Sequence, residues 1–518
     1  DAITAIILLL AILLVVNLIS TQLFFRIDLS EGKVYTLSKA SKEVVRDLED
    51  KLTVKAFFTR DLPAPYNSNA RFLRDMLDDY KAYSDGNLTY EFVDPGTEAE
   101  LERQAQNFNI QPTQVNVVEK DKLELKKAYM GLVFLFEDKH ETIPLVQSTT
   151  GLEYDITSTI KLLTAASRPK VGFLQGLGAP DSYQEMRNLR ASLERNYELR
   201  AVDVSRNQLV PDDIDVLLII GVKQDFDDWS KFAIDQFIMK GGAAAFLLNK
   251  VEADLQTSRA SRAPFRIDDW TKAYGFKIND DLVMDYRCGM VYIQQRLGFF
   301  TSSHPVNYPF FPQVVNFNDQ NPMVKDLENI MLFFPSTIDT TLPAGSQLEA
   351  TPLFFTTEKS RRQQGRYDIS PQQQIDLSSL NEGPLLLGAA VTGRFDSYFK
   401  DKSVPAGDTT AASAQVSVVK QSPETRVVVI GDAHLALDAY ASDPSNIAFL
   451  MNVVDWLARD EGLIHIRSRE VTSRPLVETS EATRASVKYA NIFLPPILVI
   501  LIGVVRWQIR RRRKSTEW

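Results

Sequence analysis

The feature that most constrains this sequence is a pair of apolar segments, one near each end of the chain. The first, Ala2–Ile19 (AITAIILLLAILLVVNLI), contains no charged residue. As a helix it would be about 27 Å long, close to the ~30 Å hydrocarbon core of a bilayer. The second, Ala490–Trp507 (ANIFLPPILVILIGVVRW), contains Pro495 and Pro496, where we expect a bend or a late helix start. The sequence therefore predicts a transmembrane helix at each end.

Charge sets the expected orientation of the chain. The basic run Arg510–Lys514 follows the second apolar segment, and the positive-inside rule places such a run in the cytoplasm. We therefore expect a protein of the bacterial cytoplasmic (inner) membrane, in contact with membrane lipid at both ends. Its bulk would be extracytoplasmic, in the periplasm, and its C-terminus cytoplasmic. Within the membrane, Asn17 and Asn491 are candidates for hydrogen bonds to partner helices.

Two alternatives concern these terminal segments. The first segment could be a cleaved signal peptide, but its apolar run is longer than usual and STQLFFR follows it instead of an Ala-x-Ala site. The basic run could be a nucleic-acid patch. A net charge of −9 argues against a broad nucleic-acid-binding surface, so we expect no nucleic-acid partner.

Residues 26–150 predict a membrane-proximal lead and a small α/β domain. Tyr35 and Leu37 are candidates to seat the lead, and Ser38 or Ser41 is a candidate N-cap for the helix that follows. A strand, an amphipathic helix and a second strand come next, an order that favours a parallel pair. YMGLVFLFEDKHETIPLV predicts a hairpin with EDKHE as its turn. The shape is thioredoxin-like, but the absence of a C-x-x-C motif excludes thiol redox chemistry here.

Residues 151–475 predict a doubly wound α/β domain. DIDVLLIIGV is typical of a buried strand, and FIMKGGAAAFLLN of a helix, a glycine stop and a strand. Strands and helices alternate in this way along the segment, which favours a parallel sheet, with a less regular stretch at about 255–380 as insertions. Residues 476–518 would supply a linker, the second transmembrane helix and the basic tail, and residues 1–25 the first transmembrane helix. The expected fold class is therefore α/β, with two domains flanked by transmembrane helices.

The residue inventory argues against several kinds of chemistry. The chain has no G-x-x-x-x-G-K-[ST] run, so any ATP must be hydrolysed by another subunit. Its one cysteine, Cys288, excludes an intramolecular disulfide and is not followed by the helix pattern of a nucleophile turn. The four histidines, at positions 140, 304, 434 and 465, are scattered along the sequence. We therefore predict no metal site, no cofactor and no catalytic residue.

Two loops are candidates for a ligand crevice. In FLQGLGAP, Gly176 and Gly178 follow a strand, and such a turn either binds an anion on free amides or is simply a tight connection. In GDAHLALD, Asp432 and His434 follow another strand, at the end where open α/β sheets place their ligands. The alternative for this second pair is a helix cap at Asp432 and a surface histidine.

The ordered set of motifs resembles the GldG-like family, which are auxiliary proteins of ABC transporters first associated with bacterial gliding motility. The motifs are RIDLSEGKVYTLS, VDPG, DVLLIIGV with FIMKGGAAAFLLN, and VVVIGDAHLALD with NIAFLMNVVDWLAR. The resemblance spans nearly the whole chain. It implies that the large domain has a fold like that of class I glutamine amidotransferases. It also implies two partners, an ABC permease and a separate ABC ATPase.

The function expected from sequence is that of a non-catalytic, membrane-anchored, extracytoplasmic accessory subunit of an ABC transporter complex. Two alternatives stay open. One is a membrane-tethered envelope protein that binds glycan, lipid or protein without a transporter. The other is an envelope hydrolase, for which loss of activity on substitution of Asp432 or His434 would be the sign.

Overall fold

The computed structural model describes residues 36–507 with gaps. The gaps are residues 61, 64–65, 120–121, 166, 206–207, 256, 298–299, 326, 374, 406–416, 441–442, 471–485, 495, 498–499, 501–502 and 505. The chain divides into two compact units, residues 1–472 and residues 473–518. The first unit contains the two sheets described next, and the second contains helical residues 486–494.

A four-stranded sheet forms the centre of the first domain, in the order β2-β1-β5-β6. Strands β1 and β2 are parallel, while β5 is antiparallel to β1 and to β6. The elements in chain order are α1 (Lys39–Arg46), β1 (Leu52–Phe58), α2 (Tyr66–Tyr83), β2 (Leu88–Val93), α3 (Ala99–Asn107), β3 (Thr113–Glu119), β4 (Lys122–Ala128), β5 (Met130–Phe136), β6 (Lys139–Ile143) and α4 (Leu152–Thr164). A short 3-10 helix, Pro95–Thr97, lies between β2 and α3, and β3 and β4 form a separate hairpin.

Local sequence explains these elements. The helix α2 buries Leu73, Leu77 and Tyr80, which lie on one face, and connects the parallel strands β1 and β2. The predicted hairpin is confirmed, but its turn is shorter than the predicted EDKHE: Phe136 pairs with Lys139, so only Glu137 and Asp138 form the turn and the other three residues belong to β6. The first residue of that turn has a φ of 51°, as expected for a tight two-residue connection.

An eight-stranded mixed sheet forms the second domain, in the order β17-β20-β22-β23-β10-β9-β7-β8. The five strands from β23 to β8 are parallel, and the remaining three are antiparallel. The elements as far as β12 are β7 (Lys170–Gln175), α5 (Ser182–Glu185), α6 (Arg187–Leu193), β8 (Glu198–Asp203), β9 (Val216–Ile220), α7 (Asp228–Met239), β10 (Ala243–Leu247), β11 (Val251–Asp254) and β12 (Arg259–Arg262).

The rest of this domain begins with the less regular stretch. Its elements are α8 (Asp268–Lys272), β13 (Lys277–Ile278), β14 (Asp281–Asp285), β15 (Cys288–Leu297), β16 (Phe300–Val314), β17 (Asn316–Phe317), β18 (Ile330–Met331), β19 (Ile338–Asp339), β20 (Gln347–Phe355), β21 (Ser360–Gln364), β22 (Leu386–Asp396), β23 (Gln421–Ile430), α9 (Pro444–Leu457) and α10 (Glu461–Glu470), with 3-10 helices at Leu377–Ser379 and His434–Ala436. Two of these strands, β17 and β20, extend the main sheet. The region predicted as insertions therefore supplies an antiparallel edge as well as separate hairpins.

Alternating side chains of the parallel strands enter two different cores. In β9, Val216, Leu218 and Ile220 pack into one core, which also contains side chains of α6, α9 and α10. Leu217 and Ile219 pack into the other, which contains side chains of α7. Because helices cover both faces, the strand is apolar at every position, and such a strand gives no signal of its direction. The prediction of a parallel sheet is wrong in this respect: the strand pairings show a mixed sheet, with five parallel strands and three that pair antiparallel.

The prediction of flanking transmembrane helices is wrong for the part of the chain that the structure describes. No helix there is long and apolar enough to cross a membrane. In the C-terminal segment, residues 486–494 are helical. Asn491 lies exposed on this run. The predicted N-terminal span, residues 1–25, lies outside the described residues, as does Asn17.

Candidate functional site

A crevice of about 1300 Å³ lies at the carboxyl ends of the parallel strands. Residues that follow four of these strands contribute to its lining: Pro180 after β7, Gly221 after β9, Asn249 after β10 and His434 after β23. The hairpin of β11 and β12 provides another wall. An open α/β sheet binds ligands at this edge because the loops that leave parallel strands diverge there.

Asp432 lies behind the crevice and is fully buried. One carboxylate oxygen accepts a hydrogen bond from the backbone N–H of Phe333 at 2.8 Å. The other accepts hydrogen bonds from the side-chain amide of Asn249 at 3.1 Å and from the backbone N–H of His434 at 2.8 Å. Because donors already surround both oxygens, this carboxylate positions its neighbours and does not itself face the cavity.

His434 lines the crevice and has an orientation set by Asp432. Its Nδ1 lies 3.0 Å from an Asp432 carboxylate oxygen and 3.0 Å from the carbonyl oxygen of Phe333. Both neighbours are acceptors, so this network assigns a proton to Nδ1 and leaves Nε2 as the atom available to a ligand. The imidazole ring also packs edge to face against the ring of Tyr440, with 4.8 Å between the ring centroids. The sequence paired Asp432 with His434, and the structure gives the two residues different roles.

The glycine loop predicted as a second part of the crevice has a different position. Gly176, Leu177 and Gly178 have φ values of 81°, 52° and 71°, and the carbonyl oxygen of Leu177 accepts hydrogen bonds from the N–H groups of Lys223 and Gln224. Neither glycine is among the residues that line the cavity, although Pro180 at the end of the loop is. The loop is a tight connection that fixes the segment after β9, which does line the crevice.

Sequence reasoning missed Asn249, the residue that joins two of these loops. Its amide donates to Asp432 and, at 3.2 Å, to the carbonyl oxygen of Phe334, while its side-chain oxygen accepts from the N–H of Ala433 at 2.8 Å. A signal was present, because Asn249 is a polar residue directly after the buried strand AAAFLL.

Asp438 was also missed, and it holds one wall of the crevice in place. It accepts hydrogen bonds from the backbone N–H groups of Arg187 and Asn188 and from the Arg187 guanidinium, each at 3.0–3.1 Å. Partial burial raises the pKa of Asp438, but these hydrogen bonds and the guanidinium charge outweigh it, and the pKa is lowered. A carboxylate on the loop after β23 therefore caps helix α6 across the crevice.

The crevice walls carry charges of both signs. The cationic residues are Arg187, Lys223 and Arg259, and the anionic residues are Glu185, Glu252, Asp254 and Asp438. Burial, followed by the nearby charges of Asp432 and Asp254, raises the pKa of Tyr440, so its hydroxyl stays protonated at neutral pH. A site with this balance does not select strongly for a polyanion or a polycation.

The remaining candidate residues lie elsewhere. Cys288 begins strand β15, and burial raises its pKa to about 11, so it is a thiol and not a thiolate at neutral pH. The ring of His140 packs against that of Phe108, with 5.5 Å between the ring centroids, and His304 lies in β16. The side chain of His465 lies outside the described residues. Among those that are described, no group of three or more His, Cys, Asp or Glu residues could share a metal ion.

The sequence of the second domain matches a known protein family. Residues 168–455, more than half of the chain and nearly all of the second domain, match the family described as ABC-type uncharacterized transport system, and the chain belongs to that family. It is therefore an auxiliary protein of an ABC-type transport system. Residues 31–135 match a second model, a domain of unknown function, DUF7088. The GldG-like identity suggested by the motifs is a finer statement that these matches do not show.

Individual proteins are similar to this chain at low identity. An uncharacterized protein of Borreliella burgdorferi (strain ATCC 35210 / DSM 4680 / CIP 102532 / B31) is 21% identical over 502 residues, which is 94% of each chain. Among solved structures, the mmIFT52 N-terminal domain has a TM-score of 0.34 at 13% identity, over 56% of this chain and 97% of that one. The exo-beta-1,4-mannosidase Op5Man5 from Opitutaceae bacterium strain TAV5 has a TM-score of 0.21 at 11% identity, over 80% of this chain and 51% of that one.

Proposed function

We propose that this chain is a non-catalytic accessory subunit of an ABC transport complex and works with a separate permease and a separate ATPase. The observation that carries the proposal is the family match over residues 168–455. The sequence supports a division of labour, because it has no phosphate-binding G-x-x-x-x-G-K-[ST] motif. Hydrolysis of ATP is therefore assigned to a partner. That the body lies outside the cytoplasm stays a prediction from sequence.

The crevice is the part of the accessory subunit that we propose binds a ligand. Four strand ends converge there, and His434 presents Nε2 while Asp432 and Phe333 hold its Nδ1. In this proposal Asp432 is a positioning residue and His434 is a contact residue. The glycines Gly176 and Gly178 act indirectly, through the segment after β9.

The division of labour is tested by purification. The tagged chain is expressed with the ABC permease and ATPase of its own organism, and ATP turnover is measured for the chain alone and for any complex that copurifies. We expect no turnover by the chain alone and turnover by the complex. The proposal is overturned if the chain alone hydrolyses ATP at the rate of the complex, or if neither partner copurifies.

The crevice proposal is tested separately with His434→Ala and with His140→Ala as the matched control. Both changes remove an imidazole, but His140 lies in the first domain against Phe108. We expect both variants to copurify with the partners and only His434→Ala to lose transport by the complex. Equal transport by the two variants would remove His434, and with it the crevice, from the proposed function while leaving the accessory role intact.

A further inference from the structure

Helix α4, between the two sheets in sequence, contributes side chains to both hydrophobic cores. Leu152, Ile156 and Ile160 are buried in the core of the first domain. Tyr154, from the same helix, is buried in a core of the second domain. A helix that is buried in this way on more than one side links the packing of the two domains.

Glu153 of α4 forms hydrogen bonds to the start of helix α1, the first helix that the structure describes. Its carboxylate accepts hydrogen bonds from the backbone N–H of Ser38 at 2.7 Å and from the hydroxyl of Ser41 at 2.6 Å. The Ser41 hydroxyl is also 2.8 Å from the hydroxyl of Thr157, which is 2.5 Å from that of Tyr80. All five residues are buried, so the start of α1 is held on α4 by a polar cluster that excludes water.

Tyr154, the next residue of α4, forms a hydrogen bond with helix α10. The guanidinium of Arg467, in α10, donates to the Tyr154 hydroxyl at 2.7 Å and to a carboxylate oxygen of Asp455 at 2.8 Å. It also donates to the side-chain oxygen of Asn452 at 2.6 Å, and the Tyr197 hydroxyl donates to Asp455 at 2.6 Å. Asp455 is fully buried and the Arg467 side chain is 8% exposed, so the pair is enclosed by protein.

The first and last helices of the body also meet each other. A Cβ atom placed on Gly462 of α10 would lie 3.3 Å from the Cβ of Ala40 in α1. Helices α1, α4 and α10 form one cluster, which together with Asp455 of α9 we call the interdomain clamp. Its polar contacts come from the adjacent residues Glu153 and Tyr154 of α4, one toward α1 and the other toward α10.

We propose that the interdomain clamp makes the two domains of residues 36–470 unfold and move as one unit. Domains within a chain usually move relative to one another unless the surface between them is large and well packed. Here a separation of α10 from α4 would break the hydrogen bond between Arg467 and the Tyr154 hydroxyl and leave these two buried groups without each other, which is unfavourable. A displacement of helix α1 or of helix α10 therefore moves both domains together.

The experiment is hydrogen exchange of the full chain at increasing urea, read by mass spectrometry. Peptides covering β5 report the first domain, and peptides covering β10 report the second. In the natural protein we expect both strands to exchange at the same urea midpoint. In Arg467→Met we expect the two midpoints to separate by about 1 M urea, with β10 the lower, because the change leaves Asp455 unpaired within the second domain and removes the donor to Tyr154. Tyr154→Phe, which retains the ring, should separate the midpoints by less.

The control is Lys240→Met, which breaks an exposed ion pair with Asp212 in the second domain. It should leave the two midpoints equal. The proposal is overturned if β5 and β10 of the natural protein already exchange at different midpoints. It is also overturned if Arg467→Met or Tyr154→Phe lowers both midpoints by the same amount, because the clamp would then contribute stability without joining the domains. Should Arg467→Met fail to fold, Tyr154→Phe and the natural protein decide the question.

Discussion

The crevice and the interdomain clamp are each built around a fully buried aspartate, and they differ in what the aspartate holds. Asp432 orients a histidine whose ring reaches a cavity, whereas Asp455 pairs with an arginine that is almost entirely enclosed. In the crevice one ring nitrogen is left for a ligand, and in the clamp the charged groups face each other. The comparison shows that a buried carboxylate by itself does not mark a binding site. The group that it orients decides whether the cluster faces a ligand or joins two parts of the protein.

The largest expected effect is in the clamp. Arg467→Met should destabilise the protein by about 3–5 kcal/mol, because the substitution leaves Asp455 buried without a counter-charge. The free energy of unfolding, measured by urea denaturation, checks this value. Replacing the pair together, with Arg467→Met and Asp455→Leu, should recover much of the loss. A double variant no more stable than the single one would show that packing, and not the charge, dominates in the clamp.

An intermediate effect is expected behind the crevice. Asp432→Asn keeps the size of the side chain but places an amide N–H₂ against donors, so we expect a loss of about 2 kcal/mol. The change should also weaken the preference of His434 for a proton on Nδ1. Nitrogen-15 NMR of the histidine ring reads the tautomer directly. An unchanged tautomer would mean that the carbonyl of Phe333 alone sets the orientation of His434.

A smaller effect is expected at the residue that faces the cavity. His434→Ala removes the Nδ1 hydrogen bond that Asp432 and the Phe333 carbonyl share, together with an edge-to-face contact with Tyr440, so we expect a loss of about 1 kcal/mol. This cost should be smaller than that of Asp432→Asn in the same urea experiment, because Asp432 is fully buried and His434 is not. If His434→Ala were the more damaging of the two, the histidine would be part of the core and not a contact residue.

The smallest effect concerns the pH dependence of the crevice wall. The pKa of Asp438 is lowered in the folded state, so its ionised form contributes stability at pH values above its unfolded pKa of about 3.9. That contribution is lost as pH falls through the lower folded pKa. Stability curves of the natural protein and Asp438→Asn should therefore be separated at neutral pH and converge in acid. Parallel curves would contradict the assigned direction of the pKa shift.

Much of the fold could be predicted from local patterns. The turn of the β5–β6 hairpin and the glycine stop before β10 follow from residues close together in sequence. The direction of strands β22 and β20 could not be predicted, because a buried strand is apolar whichever way it runs. The flanking transmembrane helices were predicted from hydropathy alone, and among the described residues no helix is both long and apolar enough to cross a membrane.

The candidate site could be predicted only in part. Asp432 and His434 were predicted as crevice residues because a polar pair directly after a buried strand lies at the edge where such sheets bind ligands; the structure places His434 in the crevice wall and Asp432 behind it. Asn249 lies at the same edge after its own strand, yet its contact with Asp432 spans 183 positions of the sequence. Asp438 and Arg187 are farther apart still, at 251 positions. No local pattern reports such pairs.

The sequence by itself determined that this is an α/β protein with strand-end loops suited to a crevice, and it determined the absence of a phosphate-binding motif. These properties follow from the order of apolar and polar residues, which acts through the backbone over a few positions. Only the tertiary structure decided that Asp432 positions His434 and that Arg467 closes a clamp against Tyr154. The energy of a buried charge depends on which groups surround it in space, and those groups come from segments far apart in the chain.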